Sequence, residues 1–387
     1  MIQKKSERIS IVGAGPAGLF LAALLTDKGF CVDVFEQAPS LRADGCGIML
    51  LPNGLRAIKR GCPEVYQDFC ERGAILEFFD YYDVGTGDIK TVSLADYVPK
   101  YGFPIIYIHR KHISDALLKF VPGERIHTDY WFSSLEEQDD KVTAHFKNGT
   151  SWSGDILIGA DGIFSQVRKY LVGEVNPQYL GTMTWRGVMP NDGFCESKHF
   201  IVFKRFNGVY SNLSDLEGGL VHWGLFVDMS DISNLGESVS PDEVQQILDL
   251  TEGKLAPIFR RVLEATPSLE IVRRPLLDID PLPRLVSSSV AIIGDAAHAM
   301  SPTRGQGLST GFEDAFVLAQ FLATCSNKSE ALARYQTERQ PRVTYIQTTS
   351  RERSLHNSRE REDISKTPSE TGINLLTYDF QSEKSSI

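Results

Sequence analysis

The chain has 387 residues, which is enough for two domains or for one elaborate domain around a substantial core. Hydrophobic residues make up 42% of it and charged residues 23%, which is ordinary for a soluble globular protein, and the net charge of -10 argues against a nucleic-acid partner. The six cysteines form no CxxC pair and indicate reduced thiols in the cytoplasm rather than a disulfide framework.

The amino-terminal part shows the pattern of a βαβ unit. ISIV (9–12) is a short apolar run that predicts a strand, and GAGPAG (13–18) follows it. A helical pattern from Ala17 to Lys28 ends at Gly29, a residue type that commonly stops helices. VDVF (32–35) supplies the second strand and completes the unit.

GAGPAG fits the G-x-G-x-x-G pattern of dinucleotide binding. Gly13 permits a tight turn, Gly15 lets the backbone approach a pyrophosphate, and Gly18 allows the helix to pack closely on the strand. The start of the helix offers unpaired N–H groups to the phosphates. Glu36 ends the second strand, where an acid hydrogen-bonds an adenosine ribose. The alternative is a glycine-rich turn with a capping acid, and the motif alone does not distinguish NAD from FAD.

The same region superficially resembles a secretory signal, because Lys4, Lys5 and Arg8 precede an apolar run. The glycines and Pro16 inside that run favour a buried strand, turn and helix instead. No other stretch reaches the roughly 18 apolar residues of a membrane span. We therefore expect a soluble protein without a transmembrane segment.

The residue pattern changes in the middle of the chain, between Gly73 and Pro99 and again from about Tyr179 to Asp228. HFIVFKRFNGVYSN (199–212) and GGLVHWGLFVD (218–228) predict antiparallel strands joined by tight turns. We expect a second, sheet-rich layer that is inserted into the nucleotide-binding domain and covers its mouth. Residues 241–266 are predicted to be helical.

Two further motifs each follow a short apolar run, and each run predicts a strand of a mostly parallel sheet. GADGIFSQVR (159–168) has the spacing D-G-x-x-S-x-x-R. GDAAHAMSP (294–302) places Asp295 at the carboxyl end of a strand, where such sheets bind ligands. GQGLSTGFEDA (305–315) opens a helix with apolar residues at core-facing spacing. A charged helix is predicted over 330–354, with a kink or break at Pro341.

Together these motifs resemble the class A flavoprotein aromatic hydroxylases, the p-hydroxybenzoate and salicylate hydroxylase type, a pattern shared by zeaxanthin epoxidase and urate hydroxylase. The resemblance covers about residues 8–345. It implies an α/β fold: a Rossmann-like FAD-binding domain with a mostly parallel sheet, and an inserted antiparallel-sheet substrate domain. The predicted boundaries are 1–72, 103–176 and 273–353 for the FAD-binding domain, 73–102 and 177–272 for the substrate domain, and 354–387 for a C-terminal tail or helix, whose LLTYDF segment is expected to fold back.

The resemblance also implies how FAD is held. The glycines of the first motif line the pyrophosphate, Asp295 hydrogen-bonds the ribityl chain, and the helix that starts at Gly307 points its N–H groups at the N1 and O2 edge of the flavin. Ser309 stands where the commoner pattern has asparagine. The full predicted cofactor set is Gly13, Gly15, Ala17, Gly18, Glu36, Arg42, Arg110, Asp161, Asp295, Pro302, Gly305, Gly307, Leu308 and Ser309.

The implied activity is an FAD-dependent monooxygenase that uses NADH or NADPH as a transient co-substrate. One oxygen atom of O2 passes through a flavin C4a-hydroperoxide to a small or medium, electron-rich, aromatic substrate, and epoxidation of an alkene stays open as an alternative. No catalytic base is identified. The substrate-side candidates are Arg186, Tyr210 and His222, each with packing or solvation as its alternative.

Other interpretations stay open at this point. The chain is alternatively a flavin dehydrogenase or reductase of the same fold, or a non-catalytic FAD-binding protein. His109 and His112 have no third ligand near them in sequence, so no metal is expected. His298 is expected to support its turn structurally, and Trp185 either lies in the core or approaches the substrate. The protein is expected to be a monomer or a homodimer.

Overall fold

Two sheets of different character position the site. The computed structural model describes residues 7–41, 46–232 and 238–357 together with Leu376. The strands in chain order are β1 (Arg8–Val12), β2 (Cys31–Glu36), β3 (Gly47–Leu50), β4 (Ala74–Ile75), β5 (Phe78–Tyr82), β6 (Ile89–Ser93), β7 (Ile106–His109), β8 (Ile126–Thr128), β9 (Phe132–Gln138), β10 (Lys141–Phe146), β11 (Ser151–Gly154), β12 (Ile156–Gly159), β13 (Gln178–Pro190), β14 (His199–Phe206), β15 (Val209–Asp215), β16 (Leu220–Asp228), β17 (Val272–Asp278) and β18 (Val290–Ile292).

The helices connect and cover these sheets. They are α1 (Pro16–Asp27), α2 (Pro52–Gly61), α3 (Pro63–Arg72), α4 (Tyr97–Tyr101), α5 (Arg110–Leu118), α6 (Gln166–Val172), α7 (Glu243–Leu250), α8 (Pro257–Ala265), α9 (Asp295–His298), α10 (Gly307–Thr324) and α11 (Lys328–Asn357). Short 3₁₀ turns lie at Gly123–Arg125, Ser268–Glu270 and Pro302–Arg304.

The first sheet is parallel and nearly fully buried. Its strand order is β18-β12-β1-β2-β8, and every neighbouring pair runs parallel. Helix α1 crosses from β1 to β2, as the βαβ pattern predicts. It packs against α10, where the rings of Phe20 and Phe312 meet edge to face with centroids 5.4 Å apart. The predicted Rossmann-like part of the α/β fold is confirmed.

The second large sheet has the order β17-β13-β16-β15-β14-β5-β6 and is antiparallel except for the β14–β5 pair. The hairpin of β14 and β15 turns at Asn207 and Gly208, whose φ angles of 47° and 79° suit a tight turn. One face buries Trp223 and other apolar side chains against α7 and α8. The predicted sheet-rich layer is therefore present. The domain boundary predicted at 272/273 falls inside β17, which pairs with β13.

One helix prediction was wrong in detail, and in another the alternative of a break at Pro341 was wrong, while a kink there stays a prediction. The helix predicted over 241–266 is divided into α7 and α8, because Gly253 adopts a φ of 68° and Pro257 starts a new helix. In contrast, α11 continues without a break through Pro341. Tyr335 and Val343, on either side of this proline, are buried in the same core, and that packing compensates for the lost hydrogen bond.

The C-terminal segment is described only at Leu376, and the rest of LLTYDF lies outside the described residues. Leu376 is buried in an apolar cluster with Leu51 and Tyr107, as expected for a tail that folds back. None of the described helices is long and apolar enough to cross a membrane.

Candidate active site

A cavity of about 660 Å³ lies where the two large sheets meet, a size typical of sites for small molecules and cofactors. Residues just beyond three parallel strands line it: Gly15 after β1, Ala160 after β12 and Gly294 after β18. The carboxyl ends of parallel strands are where sheets of this kind bind ligands. The cavity therefore joins the three sequence motifs, although they are far apart in the chain.

The glycines of the first motif have different surroundings. Gly13 has a φ of 107°, and a Cβ there would lie 2.3 Å from the carbonyl oxygen of Ala160. A Cβ at Gly18 would lie 2.3 Å from the carbonyl oxygen of Gly13. A Cβ at Gly15, in contrast, would meet no atom within 4 Å, and Gly15 lines the cavity. Gly13 and Gly18 thus serve the fold, and Gly15 leaves space for a ligand.

The cavity wall suits an extended dinucleotide. Gly162 and Gly307 also line it, and a Cβ at either would enter open space. Helix α1 starts at Pro16 and α10 starts at Gly307, so two helix amino termini face the cavity. Unpaired N–H groups at such termini attract phosphates and other anions. Ala17, Gly18, Pro302, Gly305 and Leu308 complete this part of the wall.

The motif after β12 is largely occupied with its own hydrogen bonds. Asp161 accepts from the Ser165 hydroxyl at 2.5 Å and from the amide of Gln166 at 2.8 Å. Burial raises the pKa of Asp161 despite these bonds. Arg168 is buried and donates to the carbonyl of Ala296 at 3.1 Å. Asp161 does not line the cavity, so this motif acts mainly by fixing the GDAAH turn.

Two residues of the GDAAH turn have different surroundings: Asp295 faces the cavity, and His298 lies in the core. Asp295 lines the cavity. His298 is fully buried, and its Nε2 lies 2.5 Å from Oδ2 of Asp314 on α10. The amide of Gly294 donates to the same oxygen at 3.0 Å. Asp314 is in turn paired with Arg339 of α11 at 2.8 Å. His298 therefore holds the turn in place, as expected.

Two other predicted residues, Ser309 and Glu36, differ from the simple expectation. The hydroxyl of Ser309 faces α2, where it accepts from the amide of Leu51 at 3.1 Å, and Ser309 does not line the cavity. Glu36 accepts from the amides of Ala14 and Ala38 at 2.8 and 2.9 Å, and it too stands outside the lining. Arg110 lines the cavity. Arg42 lies outside the described residues.

Beyond the motifs, the cavity continues along one face of the seven-stranded sheet. Side chains alternate along strands, so every second residue faces this chamber. Trp185 points to the opposite face, where its Nε1 donates to Glu243 at 2.7 Å in the core. The chamber residues are Phe79 and Tyr81 of β5, Phe200, Val202 and Lys204 of β14, Tyr210 and Asn212 of β15, His222, Gly224 and Phe226 of β16, and Arg186 of β13.

His222 has a partner that the sequence did not indicate. The hydroxyl of Tyr107, on β7, lies 2.8 Å from Nδ1 of His222 and 3.4 Å from the carbonyl oxygen of Gly47. Burial, with a smaller effect of the Arg186 cation, lowers the pKa of His222 to about 3. Burial also raises the pKa of Tyr107 above its usual value. Both side chains are therefore uncharged near neutral pH.

The chamber and cofactor wall are strongly basic. Among the described residues, Asp295 is the single acidic residue that lines the cavity. Arg205 forms an ion pair with Asp228, and Lys204 lies 3.5 Å from Asp83. The sequence motifs did not single out Lys204, Arg304 or Arg353. The six basic residues that line the cavity are Arg110, Arg186, Lys204, Arg205, Arg304 and Arg353.

Comparison with known proteins agrees with this geometry. A family model for an NAD(P)-binding Rossmann-like domain matches residues 11–57, and one for an FAD-binding domain matches residues 280–350. The 3-amino-4-hydroxybenzoate 2-monooxygenase of Streptomyces cremeus is 31% identical over 89% of this chain and 86% of its own. The 6-hydroxynicotinate 3-monooxygenase of Pseudomonas fluorescens is 29% identical over 89% and 91%.

A solved structure extends the agreement to the whole fold. Klebsiella pneumoniae HpxO in complex with FAD and uric acid superposes with a TM-score of 0.86 at 26% identity. The match covers 97% of this chain and 94% of that one. With the cofactor cradle and the relatives taken together, the chain belongs to the class A FAD-dependent monooxygenases and is an FAD-binding enzyme of that family.

Proposed function

We propose that this enzyme consumes NADH or NADPH and inserts one oxygen atom of O2 into a small or medium, electron-rich aromatic substrate. The observation that carries the proposal is one continuous cavity: the cofactor motifs line one part of it, and aromatic and basic side chains line the other. The named relatives act on hydroxylated or aminated aromatic acids, among them 6-hydroxynicotinate and 3-amino-4-hydroxybenzoate. The aromatic side chains of the chamber suit the ring of such a substrate, and its basic side chains suit the carboxylate.

The cofactor is held by backbone more than by side chains in this proposal. Gly15, Ala17 and Gly18 at the start of α1 would bind the pyrophosphate, and Asp295 would bind the ribityl chain. Glu36, which accepts from the amide of Ala14 in the same turn, would shape the ribose end of the site. The first amides of α10 would hold the pyrimidine edge of the flavin. Supporting positions are Gly13, Arg42, Arg110, Asp161, Pro302, Gly305, Gly307, Leu308 and, through its backbone, Ser309.

The protein's own residues orient the substrate and exclude water. When bound, FAD supplies the redox chemistry, accepting a hydride from NAD(P)H and activating O2. The helix dipole of α10 stabilises negative charge at its amino terminus. Aromatic walls such as Phe79, Tyr210 and Phe226 pack against a planar ring and keep the chamber dry. His222 is a neutral hydrogen-bonding group held by Tyr107, and Arg186 adds positive charge near it.

The experiment starts from the purified protein and its bound FAD. Aromatic acids are screened for stimulated oxidation of NADH and NADPH, with O2 uptake and H2O2 measured in parallel. Substrate-dependent O2 uptake with little H2O2, and a hydroxylated product, supports the proposal. Turnover with a dye acceptor in the absence of O2 would instead assign a dehydrogenase or reductase. A colourless protein that takes up no FAD would overturn an enzymatic role.

A further inference from the structure

Arg304 and Arg353 line the cavity but belong to none of the cofactor-binding positions. We infer that they form a binding site for the carboxylate, or an equivalent anionic group, of the aromatic substrate. This inference rests on the proposed function, since it names the residues that select the enzyme's substrate class.

The two arginines reach the cavity from neighbouring places. The turn that carries Arg304 is fastened to α11: Nε of Arg304 donates to the carbonyl of Thr349 at 3.1 Å, and the hydroxyl of Thr303 donates to the carbonyl of Ser350 at 2.8 Å. Arg353 follows Thr349 by one helical turn, so both lie on the same face of α11. The Arg304 side chain thus contacts α11 one helical turn before Arg353, and both arginines line the same cavity.

Their charges differ from the other basic charges of the chamber. Arg205 and Lys204 have acidic partners in Asp228 and Asp83. No acidic side chain of the described residues forms an ion pair with Arg304 or Arg353. Two cations that share one wall of a partly enclosed site attract an anion strongly, because the low dielectric strengthens the interaction.

The pKa of Arg304 is consistent with the presence of a second cation on the cavity wall. Burial lowers the pKa of Arg304, and repulsion from Arg353 lowers it further, against a smaller opposite effect of Glu352. An anion between the two guanidinium groups would relieve that repulsion. Planar guanidinium groups match a carboxylate with paired hydrogen bonds, which gives directional as well as electrostatic selectivity.

The neighbouring wall is suited to an aromatic ring. Tyr81 of β5 and Tyr210 of β15 line the same cavity. Burial raises the pKa of both phenols, and the positive charge of Arg353 opposes that rise at both. Arg353 lines the same cavity as both tyrosines. A planar acid fits this arrangement with its ring against the tyrosines and its carboxylate at the arginines.

The test is a binding titration of the FAD-loaded protein without NAD(P)H, followed by the flavin absorbance. The probes are benzoate and salicylate, with benzamide and salicylamide as their uncharged counterparts. The variants are Arg304→Gln, Arg353→Gln and Arg353→Lys. The matched control is Arg334→Gln, which removes an exposed arginine of α11 that does not line the cavity.

We expect each glutamine variant to weaken acid binding about ten-fold or more, the loss typical of a charged hydrogen bond. The affinity for benzamide and salicylamide should stay within about two-fold of the wild-type value. Arg353→Lys should retain part of the affinity for the acids, because lysine keeps the positive charge but lacks the planar guanidinium that forms paired hydrogen bonds. The inference is overturned if the wild type binds acids no better than amides, if acids and amides weaken together, or if the control weakens acid binding equally.

If Arg304→Gln fails to fold or to hold FAD, the Arg353 variants still test the inference, since the Arg353 side chain makes no hydrogen bond within the described part of the chain. The titration requires no turnover. A protein that binds acids through these arginines but transfers no oxygen would therefore contradict the proposed function and leave this site standing.

Discussion

The guanidinium of Arg168 donates a hydrogen bond to the carbonyl of Ala296 across 3.1 Å, and this bond joins two motifs that are 128 residues apart in the chain. Arg168 also donates to the carbonyl of Ile163 at 2.5 Å, within its own motif. The D-G-x-x-S-x-x-R segment therefore acts as a clamp on the turn that presents Asp295 to the cavity. Arg168 is therefore expected to affect cofactor binding indirectly, through this turn.

Replacing Arg168 with methionine should loosen that turn. The side chain is buried, so its loss leaves carbonyl groups without donors at about 1–3 kcal/mol for each. We expect a lower free energy of unfolding and a lower FAD content after purification, measured by urea titration and by absorbance. Lys169→Met is the control, because Lys169 is exposed and pairs with Glu174 at the surface. Equal effects of the two changes would argue against the clamp.

Gly15 offers a way to separate cofactor binding from folding. Its φ and ψ of -69° and 168° are accessible to any residue, and an added Cβ meets no atom of the protein. Gly15→Val should therefore leave the melting temperature of the FAD-free protein nearly unchanged while it weakens FAD binding at least 100-fold, since the side chain occupies the ligand's space. Fluorescence titration with FAD and thermal melts give the two values.

Gly13→Ala is the informative comparison for that experiment. Here the backbone angle disfavours a side chain, and the Cβ would collide with the carbonyl of Ala160. The cost is at least about 1–3 kcal/mol of stability, and it appears without FAD as well as with it. If both variants destabilise the FAD-free protein equally, the division between a packing glycine and a ligand-facing glycine is wrong.

Ser309 faces the protein rather than the cavity, and this explains how it can differ from the asparagine of the commoner pattern. Its hydroxyl accepts from the Leu51 amide, and a Cβ added at Gly54 would lie 2.7 Å from it, so the space between α10 and α2 is full. Ser309→Asn should cost about 1–3 kcal/mol through overpacking. It should not tighten FAD binding. A variant that is equally stable and binds FAD more tightly would show that residue 309 reaches the cofactor.

Local patterns predicted the parts of the fold that local forces decide. The glycine turn before α1, the hairpin at Asn207 and Gly208 and the buried face of α10 all follow from periodicity and turn chemistry. Tertiary packing decided the exceptions. The helix predicted over 241–266 divides at Gly253, and α11 passes Pro341 because buried side chains on both sides hold it.

The chamber was less predictable for the same reason. Tyr107 and His222 are 115 residues apart and belong to different sheets, so no pattern of either segment indicates their hydrogen bond. The turn that carries Arg304 is joined to the part of α11 that carries Arg353 by hydrogen bonds to the α11 backbone, which neither segment's pattern indicates. His222 was a candidate on position alone, and its partner and its neutral state required the three-dimensional arrangement.

The depressed pKa of His222 makes a prediction about acid stability. The unfolded chain binds a proton at His222 below its usual pKa of about 6.5, whereas the folded protein resists protonation down to about 3. The folded state therefore loses stability as the pH falls through this window. His222→Gln should show a shallower loss than the wild type between these values. The measurement is urea unfolding at a series of pH values, and parallel curves would contradict a buried neutral imidazole.

The last prediction concerns the buried ion-pair network that connects α10 with α11. Arg339 is fully buried and lies 2.8 Å from both Glu313 and Asp314. Burial alone would raise the pKa of each carboxyl, but the nearby cations lower it overall, with His298 also contributing at Asp314. Removing one partner of such a network leaves buried charge uncompensated.

Arg339→Met should therefore cost about 3–5 kcal/mol in the free energy of unfolding. Because Asp314 also binds His298 and the amide of Gly294, the change should reach the GDAAH turn and lower FAD content as well. Arg334→Met, an exposed change on the same helix, should stay within about 0.5 kcal/mol. Urea unfolding of both variants, with FAD content measured on the same samples, checks both parts. A loss below about 1 kcal/mol in Arg339→Met would mean that the network is not what holds the turn to the two helices.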